Sequence, residues 1–376
     1  MTKHILIISS EFFSLVNFRI SLIKYLIDCG HKVTALAPKE KSNNEDTIEK
    51  LKSMGVIIKS YSLSRAGLNP FKDYLSYKDI CSIISQSKPD IVIAYTAKPV
   101  IYAGMAMRNF PKISFFPLIT GLGYGFTEGD GIKRKLIRQL MIVLYRKGLK
   151  SAKSIIFQNS DDEKLFYKLK IIFRNMSSHI VHGSGVDLDL YPYSPLPKKP
   201  IFLMLARLLI DKGVREYAEA ACIVKAQFPK AIFQLAGRLD SNPSTISSNE
   251  LNFWINEGFI EYLGEISSVQ KSIASCRFYV LPSYREGTPR SVLEAMATGR
   301  PVITTDTPGC RETVIHEKNG LLVSPKNSKS LANAMVQLLE ETEDKIQNMG
   351  RESFILAKDK YDVEKVNKDI INILNL

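Results

Sequence analysis

The chain has 376 residues, with 51 Lys and Arg against 38 Asp and Glu and a formal net charge of +13. Hydrophobic residues make up 45% and charged residues 24%, which excludes a disordered chain, a collagen and a disulfide-dense mini-protein. The length exceeds what one core usually serves, so two domains are expected. The five cysteines (Cys29, Cys81, Cys222, Cys276, Cys310) are odd in number, far apart and without a C-x-x-C. They suggest neither a disulfide framework nor a zinc site and fit a reduced cytosolic compartment. No apolar run approaches the ~18 to 20 residues that span a bilayer. The start, MTKHILIISSEFFSL, turns polar too soon for a secretion signal. The expectation is a soluble protein, attached at most to a membrane surface.

In chain order, short β-branched runs alternate with amphipathic segments. HILIIS (4–9) reads as a buried strand and 17–30 as a helix closed by Gly30. Strand 32–37, a helix near 44–54, strand 56–61, a helix near 71–86 and strand 91–96 follow. Next come a helix near 99–108, strand 112–119, a basic helix from 132, and strands 153–158 and 179–183. The segment YPYSPLPKKP (191–200) holds four prolines in ten residues and reads as a stiff linker. A second series begins at once. It has strands at 201–206, 231–237, 259–264, 278–283 and 301–306, separated by helices at 213–227, 246–257, 268–274 and 290–298. The stretch 345–374 reads as helix. Repeated strand–helix order predicts an α/β protein with two Rossmann-like parallel-sheet domains and a ligand cleft at the strands' carboxyl ends. The expected division is an N-terminal domain over 1–194, a second domain over 195–355, and a terminal helix over 356–376 returning toward the first.

Charge is uneven. Residues 1–194 carry 28 basic and 16 acidic side chains, whereas 195–376 carry 23 and 22. The densest basic stretch, 132–153, holds Lys133, Arg134, Lys135, Arg138, Arg146, Lys147, Lys150 and Lys153 with no acid. Leu136, Leu140, Val143 and Leu144 fall at helical spacing within it. Such a helix suits a solvated surface face or anionic lipid headgroups, where each cation near the surface contributes about 1 kcal/mol. Nucleic acid is disfavoured, because no aromatic strand motif, helix-turn-helix or finger spacing accompanies the charge.

The chemistry-bearing motifs lie in the second half. In YREGTPRSVLEAMATG (284–299), Glu286 follows a strand and precedes a helix; seven residues separate it from Glu294, which stands among Val292, Leu293, Ala295 and Met296. Thr288 or a neighbour is expected to cap that helix, with Pro289 at its first position. A carboxylate at a helix mouth accepts two hydroxyls, as a sugar offers, and the N–H groups of 287–290 suit phosphate oxygens. In ARLLIDKGVREY (206–217), Arg207 and Lys212 flank a turn into a helix. Two cations at a strand's carboxyl end suit a diphosphate, the plainer alternative being an arginine paired with Asp211. No Gly-x-Gly-x-x-Gly follows the first strand and no Walker-type loop occurs. The triplet Asp187-Leu188-Asp189 lies beside the linker and reads as a turn feature. The five histidines show no ligand spacing.

Arg207, Lys212-Gly213, Glu286-x7-Glu294, Gly299-x-Pro301-Val302-Ile303 and Gly309-Cys310-Arg311-Glu312 together resemble glycosyltransferase family 4, the retaining nucleotide-sugar enzymes. The resemblance is strong over 200–325 and weaker in the first half. It implies a GT-B fold, a nucleoside-diphosphate-sugar donor in the second domain and an acceptor in the first. Carried over, Arg207 and Lys212 grip the diphosphate, Glu286 holds sugar hydroxyls and Glu294 the ribose. Gly237, Arg238, Gly287, Thr288, Pro289 and Arg290 complete the implied donor set. SRAGLNPF (64–71), AGRLDSNPS (236–244) and 284–295 resemble, more narrowly, enzymes that extend polyprenyl-diphosphate-linked sugars in bacterial surface-glycan assembly, N-acetylgalactosaminyltransferases among them. That implies a UDP-sugar as co-substrate, a lipid-linked saccharide as acceptor, and a cytoplasmic protein peripheral on the inner membrane face. The implied membrane contacts are Lys133, Arg134, Lys135 and Arg138.

The acceptor side is less marked. Arg65 and Asn69 sit on a loop after a strand, where Asn69-Pro70 equally reads as a turn opening a helix. The family's glycine-rich loop after the first strand is replaced by SSEFFSLVNFR, leaving Asn17 and Arg19 as contacts. A histidine common after the fourth strand is absent from YTAKPVIYAG, where Thr96 or Lys98 stand. The segment 120–131 carries Gly121 and Gly123 and can approach a ligand closely. Cations and helix N–H groups can stabilise a leaving diphosphate without a metal, so no metal or other cofactor is expected. A nucleotide-sugar epimerase or hydrolase, and a non-catalytic glycan-lipid-binding protein, are the alternatives.

Overall fold

The computed structural model describes residues 1–39, 45–64, 67, 69–122, 124–126, 131–239 and 244–376, without the side chains of Tyr124 and Lys133. Contacts divide it into two compact units, Met1–Ser184 with Asn367–Leu376, and Gly185–Val366.

The first unit contains β1 (His4–Ile8), α1 (Phe12–Asp28), β2 (Lys32–Pro38), α2 (Glu45–Ser53), β3 (Ile57–Tyr61), α3 (Pro70–Ser87) and β4 (Ile91–Tyr95). It continues with α4 (Ala97–Ala106), β5 (Ser114–Ile119), α5 (Ile132–Leu149), β6 (Ile155–Phe157), α6 (Ser160–Lys168) and β7 (Ser178–Ile180). Among the described residues the strands form one parallel sheet in the order β3-β2-β1-β4-β5-β6-β7. Helices cover both faces, which is why the central strands read as unbroken apolar runs.

The second unit contains β8 (Ile201–Leu205), α7 (Val214–Lys225), β9 (Ile232–Ala236), α8 (Ser248–Asn256), β10 (Glu261–Gly264), α9 (Val269–Ser275) and β11 (Phe278–Leu281). After α10 (Arg290–Ala297) and β12 (Val302–Thr305) come β13 (Gly320–Val323), α11 (Ser328–Glu340) and α12 (Glu343–Lys360), while α13 (Val363–Leu374) starts in this unit and from Asn367 onward is part of the first. The sheet order is β10-β9-β8-β11-β12-β13, all parallel. Phe202 stacks between Phe233 and Phe278, at centroid distances of 5.1 and 4.8 Å, in its core.

Several elements depart from the expected series. Helix α1 starts at Phe12, not at 17, because Ser9 and Ser14 both bond the Glu11 carbonyl and fold 9–14 into a turn that opens the helix. Asn17 and Arg19 lie in this helix as expected, and residues 12–16 join it ahead of them. The elements α6, β13 and α11 were not anticipated. The C-terminal stretch is two helices, not one, broken where Tyr361 is buried and Val186 pairs with Asp362. The basic helix buries Ile142, Tyr145 and Leu149. Of the stripe read from its periodicity, Leu136, Leu140 and Val143 point outward, whereas Leu144 is half-buried against the core. The reason is a close approach: a Cβ on Gly104 of α4 would lie 1.8 Å from the Gly148 carbonyl oxygen, so α5 docks through its glycine face. No helix of the described residues is long and apolar enough to cross a membrane.

Candidate active site

Strand order reverses direction between β8 and β11, because the chain proceeds from β8 to β9 on one side and from β11 to β12 on the other. Such a switch point leaves a crevice at the strands' carboxyl ends. Lys212, in the loop after β8, and Glu286, in the loop after β11, meet there as a mostly buried ion pair between Nζ and Oε1. Two backbone contacts lock the loops together. Gly213, at φ +75°, packs so tightly on Pro282 that a Cβ would lie 2.2 Å from its carbonyl oxygen. Tyr284 N–H donates to the Asp211 carbonyl at 2.9 Å.

Glu286 is supported from the other side by the loop after β12. Its N–H donates to Pro308 O at 3.0 Å, and a Cβ on Gly309 (φ +80°) would lie 2.3 Å from its carbonyl oxygen. Gly309 is thus needed where a side chain would push Glu286 out of place. Cys310 is buried beneath, its thiol pushed up to about 11 by burial.

Helix α10 begins at Arg290, with Pro289 as its N-cap rather than its first residue. Thr288 stands one position earlier, half-buried, and Gly287 is buried. Glu286 precedes the helix altogether, so the two glutamates do not share a helical face. Glu294 lies one turn in and is 7% exposed. Arg290 Nε donates to its Oε1 at 2.8 Å, and the hydroxyl of Tyr191 bonds it as well. Burial raises the Glu294 carboxyl above its ordinary range, while Arg290 and Tyr191 act against that rise. Ser291 Oγ donates to Leu205 O at 3.4 Å, which brings the start of α10 to the end of β8.

Arg207 is exposed on the loop after β8. Gly237 follows β9 at φ +145°, and a Cβ there would lie 1.8 Å from Ala206 O, so the loops after β8 and β9 run side by side. Arg238 is exposed on that second loop. The carboxyl-end loops of four adjacent strands therefore form one continuous surface carrying cations, carboxylates and helix N–H groups. It can take an anion beside a polyhydroxylated group. Tyr191 was missed in the sequence because it lies in a proline-rich segment, outside any strand-end motif. Tyr284 gains a role too: its hydroxyl donates to Glu216 at 2.6 Å and Lys326 Nζ sits 5.2 Å over its ring.

The first unit has its own switch point, between β1 and β4. Ser14 Oγ lies 2.9 Å from Tyr95 Oη, and the buried Arg19 guanidinium stacks 5.3 Å over the Tyr95 ring. Asn17 is half-buried two residues before Arg19. Thr96 adopts φ +68°, ψ 155°, a strained conformation for a β-branched residue, with its Oγ1 buried and without a partner among the described residues. Lys98 is held as a strut, donating at 2.8 Å to both Ser64 O and Asp73 Oδ1. Asn69 caps α3, its Oδ1 accepting from Phe71 N and Lys72 N. Gly121 sits half-buried after β5 at φ +134°. Arg65, Gly123 and the Lys133 side chain lie outside the described residues. Lys135 is exposed, Arg134 half-buried, and Arg138 lies 5.9 Å over Phe126. Asp187 Oδ1 accepts from the N–H groups of Asp189 and Leu190, a turn. Among the described residues no three His, Cys, Asp or Glu side chains converge as metal ligands would.

Two parallel sheets, each with its polar residues at a switch point, define the glycosyltransferase architecture called GT-B. Residues 199–341 match the family model "Glycosyl transferases group 1", and residues 4–159 match "Glycosyl transferase 4-like". The chain is 32% identical over 343 residues, 87% of each protein, to N,N'-diacetylbacillosaminyl-diphospho-undecaprenol alpha-1,3-N-acetylgalactosaminyltransferase of Campylobacter jejuni. It is 24% identical over 294 residues, 74% of this chain and 73% of the other, to UDP-Gal:alpha-D-GlcNAc-diphosphoundecaprenol alpha-1,3-galactosyltransferase of Escherichia coli. The solved structure of Anabaena Alr3699/HepE in complex with UDP superposes over the whole of both chains with a TM-score of 0.77 at 17% identity. The protein belongs to glycosyltransferase family 4 and is a glycosyltransferase.

Proposed function

We propose that the enzyme moves an N-acetylhexosamine, such as N-acetylgalactosamine, from its UDP-sugar to a polyprenyl-diphosphate-linked saccharide with retention of configuration, in the assembly of a bacterial surface polysaccharide or glycoprotein glycan. The observation that carries the donor half is the Lys212–Glu286 pair at the switch point of the second unit. Support for the acceptor comes from the two relatives, whose names specify undecaprenol-diphosphate-linked sugars.

The residues act through the charges that develop. As the bond from sugar to diphosphate breaks, the sugar becomes cationic and the leaving diphosphate gains charge. Lys212, Arg207 and the N–H groups before α10 receive the diphosphate, and Glu286 accepts sugar hydroxyls. The ion pair holds Lys212 in position before the donor arrives, so little reorganisation is needed at the moment of reaction. Glu294, fixed by Arg290 and Tyr191, accepts the ribose hydroxyls. No metal takes part, so activity survives excess EDTA. Residues of the first unit hold the acceptor, with the cations of α5 against anionic headgroups on the inner membrane face.

The test is a donor screen with undecaprenyl-diphosphate N-acetylated sugars, read by mass spectrometry. A product heavier by one N-acetylhexosamine is expected. Consumption of the nucleotide sugar without acceptor would replace transfer by hydrolysis or epimerisation.

A further inference from the structure

We infer that a trough on the first unit, between α3, α4 and α5, binds the hydrocarbon chain of a polyprenyl-diphosphate-linked substrate. This rests on the acceptor reading above and adds recognition of the lipid to that of the sugar. The trough encloses about 600 Å3. Helix α4 forms its floor with Tyr102 and Met105; Tyr74 and Tyr77 of α3 make one wall, Leu140 and Leu144 of α5 the other. It exists because α5 approaches α4 through Gly104 and Gly148, while α3 packs on α4 from the opposite side.

Three features select the occupant. The lining is mostly aromatic and aliphatic. A peptide laid there would leave backbone N–H and C=O groups without partners, whereas a hydrocarbon has none to satisfy. Charge complements an anionic lipid: the carboxylate that reaches the trough, Asp73, is neutralised by Lys98 at 2.8 Å. Arg108 and Lys147 stand together at the far end, Arg108 donating to Lys147 O at 3.0 Å. Finally, the apolar surface runs on beyond the trough. On α5, Ile132 and Leu136 are 78% and 65% exposed, and Phe71 on α3 is 71% exposed. Apolar side chains of this size, left uncovered beside a run of cations, mark a surface that meets lipid.

The test is photolabelling of the full chain with a diazirine-bearing polyprenyl diphosphate, followed by peptide mapping. Labels are expected on the peptides around Tyr74–Tyr77 and Leu140–Leu144. Unlabelled polyprenyl diphosphate should compete, and Leu144→Arg should reduce labelling at least tenfold. Leu140→Ala, which adds no charge and truncates an exposed side chain of the same wall, should reduce it in the same direction while melting as the wild type does. In transfer assays Leu144→Arg should lower kcat/KM at least tenfold for a long-chain acceptor and leave a short-alkyl acceptor unchanged. Labelling confined to other peptides would overturn the inference. So would labelling of the trough by a diazirine-acyl phosphatidylglycerol but not by the polyprenyl probe. Because labelling needs no turnover, it decides the trough even where neither acceptor is glycosylated, an outcome that would sink the acceptor reading instead.

Discussion

Glu294→Gln separates a ribose contact from a structural charge. Glutamine keeps the shape but removes the charge and leaves a single acceptor oxygen. One Glu294 oxygen accepts from Arg290 at 2.8 Å, and the residue is 7% exposed, so a ribose hydroxyl meets it with little competing water. A hydrogen bond to such a charged group contributes about 1.5 to 3 kcal/mol. At 1.4 kcal/mol per decade, UDP should bind about 10- to 150-fold more weakly to the variant. Calorimetric titration of wild type and Glu294→Gln with UDP and with its 2',3'-dideoxy analogue closes a double-mutant cycle. Wild type should lose a similar amount with the dideoxy analogue, and the variant should barely distinguish the two ligands. Additive losses would refute the ribose assignment. A pH series gives a second handle. Burial raises the Glu294 carboxyl, so it protonates earlier than an ordinary glutamate as pH falls. Wild-type affinity for UDP should weaken on that acid limb, and Glu294→Gln should lack it.

Lys212→Ala and Glu286→Gln should each lower turnover by about 100-fold or more, the scale of one preorganised charge contact. The double variant should lose less than the product, since the two side chains are paired; near-normal rates in either single variant would remove them from the chemistry. Replacing Arg134, Lys135 and Arg138 with Glu should release the protein from anionic vesicles in a sedimentation assay, and unchanged binding would leave α5 a solvated face. Arg215 and the Ser247 cap hold the Glu250 carboxyl down at about 2. This depressed value stabilises the fold above the ordinary glutamate range, and the gain is lost as pH falls through about 2. Chemical denaturation should therefore show Glu250→Gln less stable than wild type near neutrality and converging with it in acid; a constant gap would contradict the linkage.

Much of this was legible in the residues. Alternation of β-branched runs with amphipathic segments gave both sheets, and the strand-end positions of Arg207, Lys212 and Glu286 marked the carboxyl edge of the second. What failed did so where tertiary packing decides between locally equal options. Helix α5 has two apolar stripes. Periodicity favoured Leu136 and Leu140, but the Gly104–Gly148 contact buries Ile142, Tyr145 and Leu149 instead. Lys98 looked available for a ligand, and only the fold brings Asp73 and Ser64 to it from 25 and 34 residues away. Tyr191 carries no local signal at all; its contact with Glu294 depends on the proline-rich segment lying against α10. By contrast, Glu286 and Glu294 were found by spacing, and the helix starts at Arg290 as expected, so a turn holds the first and a helix the second.

Everything proposed for the donor depends on the switch point of the second unit holding the nucleotide diphosphate. A crystal structure of the enzyme soaked with UDP tests it most directly. The diphosphate should lie against Lys212 and Arg207, with the ribose hydroxyls on Glu294. UDP seated on other residues, with the Lys212–Glu286 pair untouched, would contradict it.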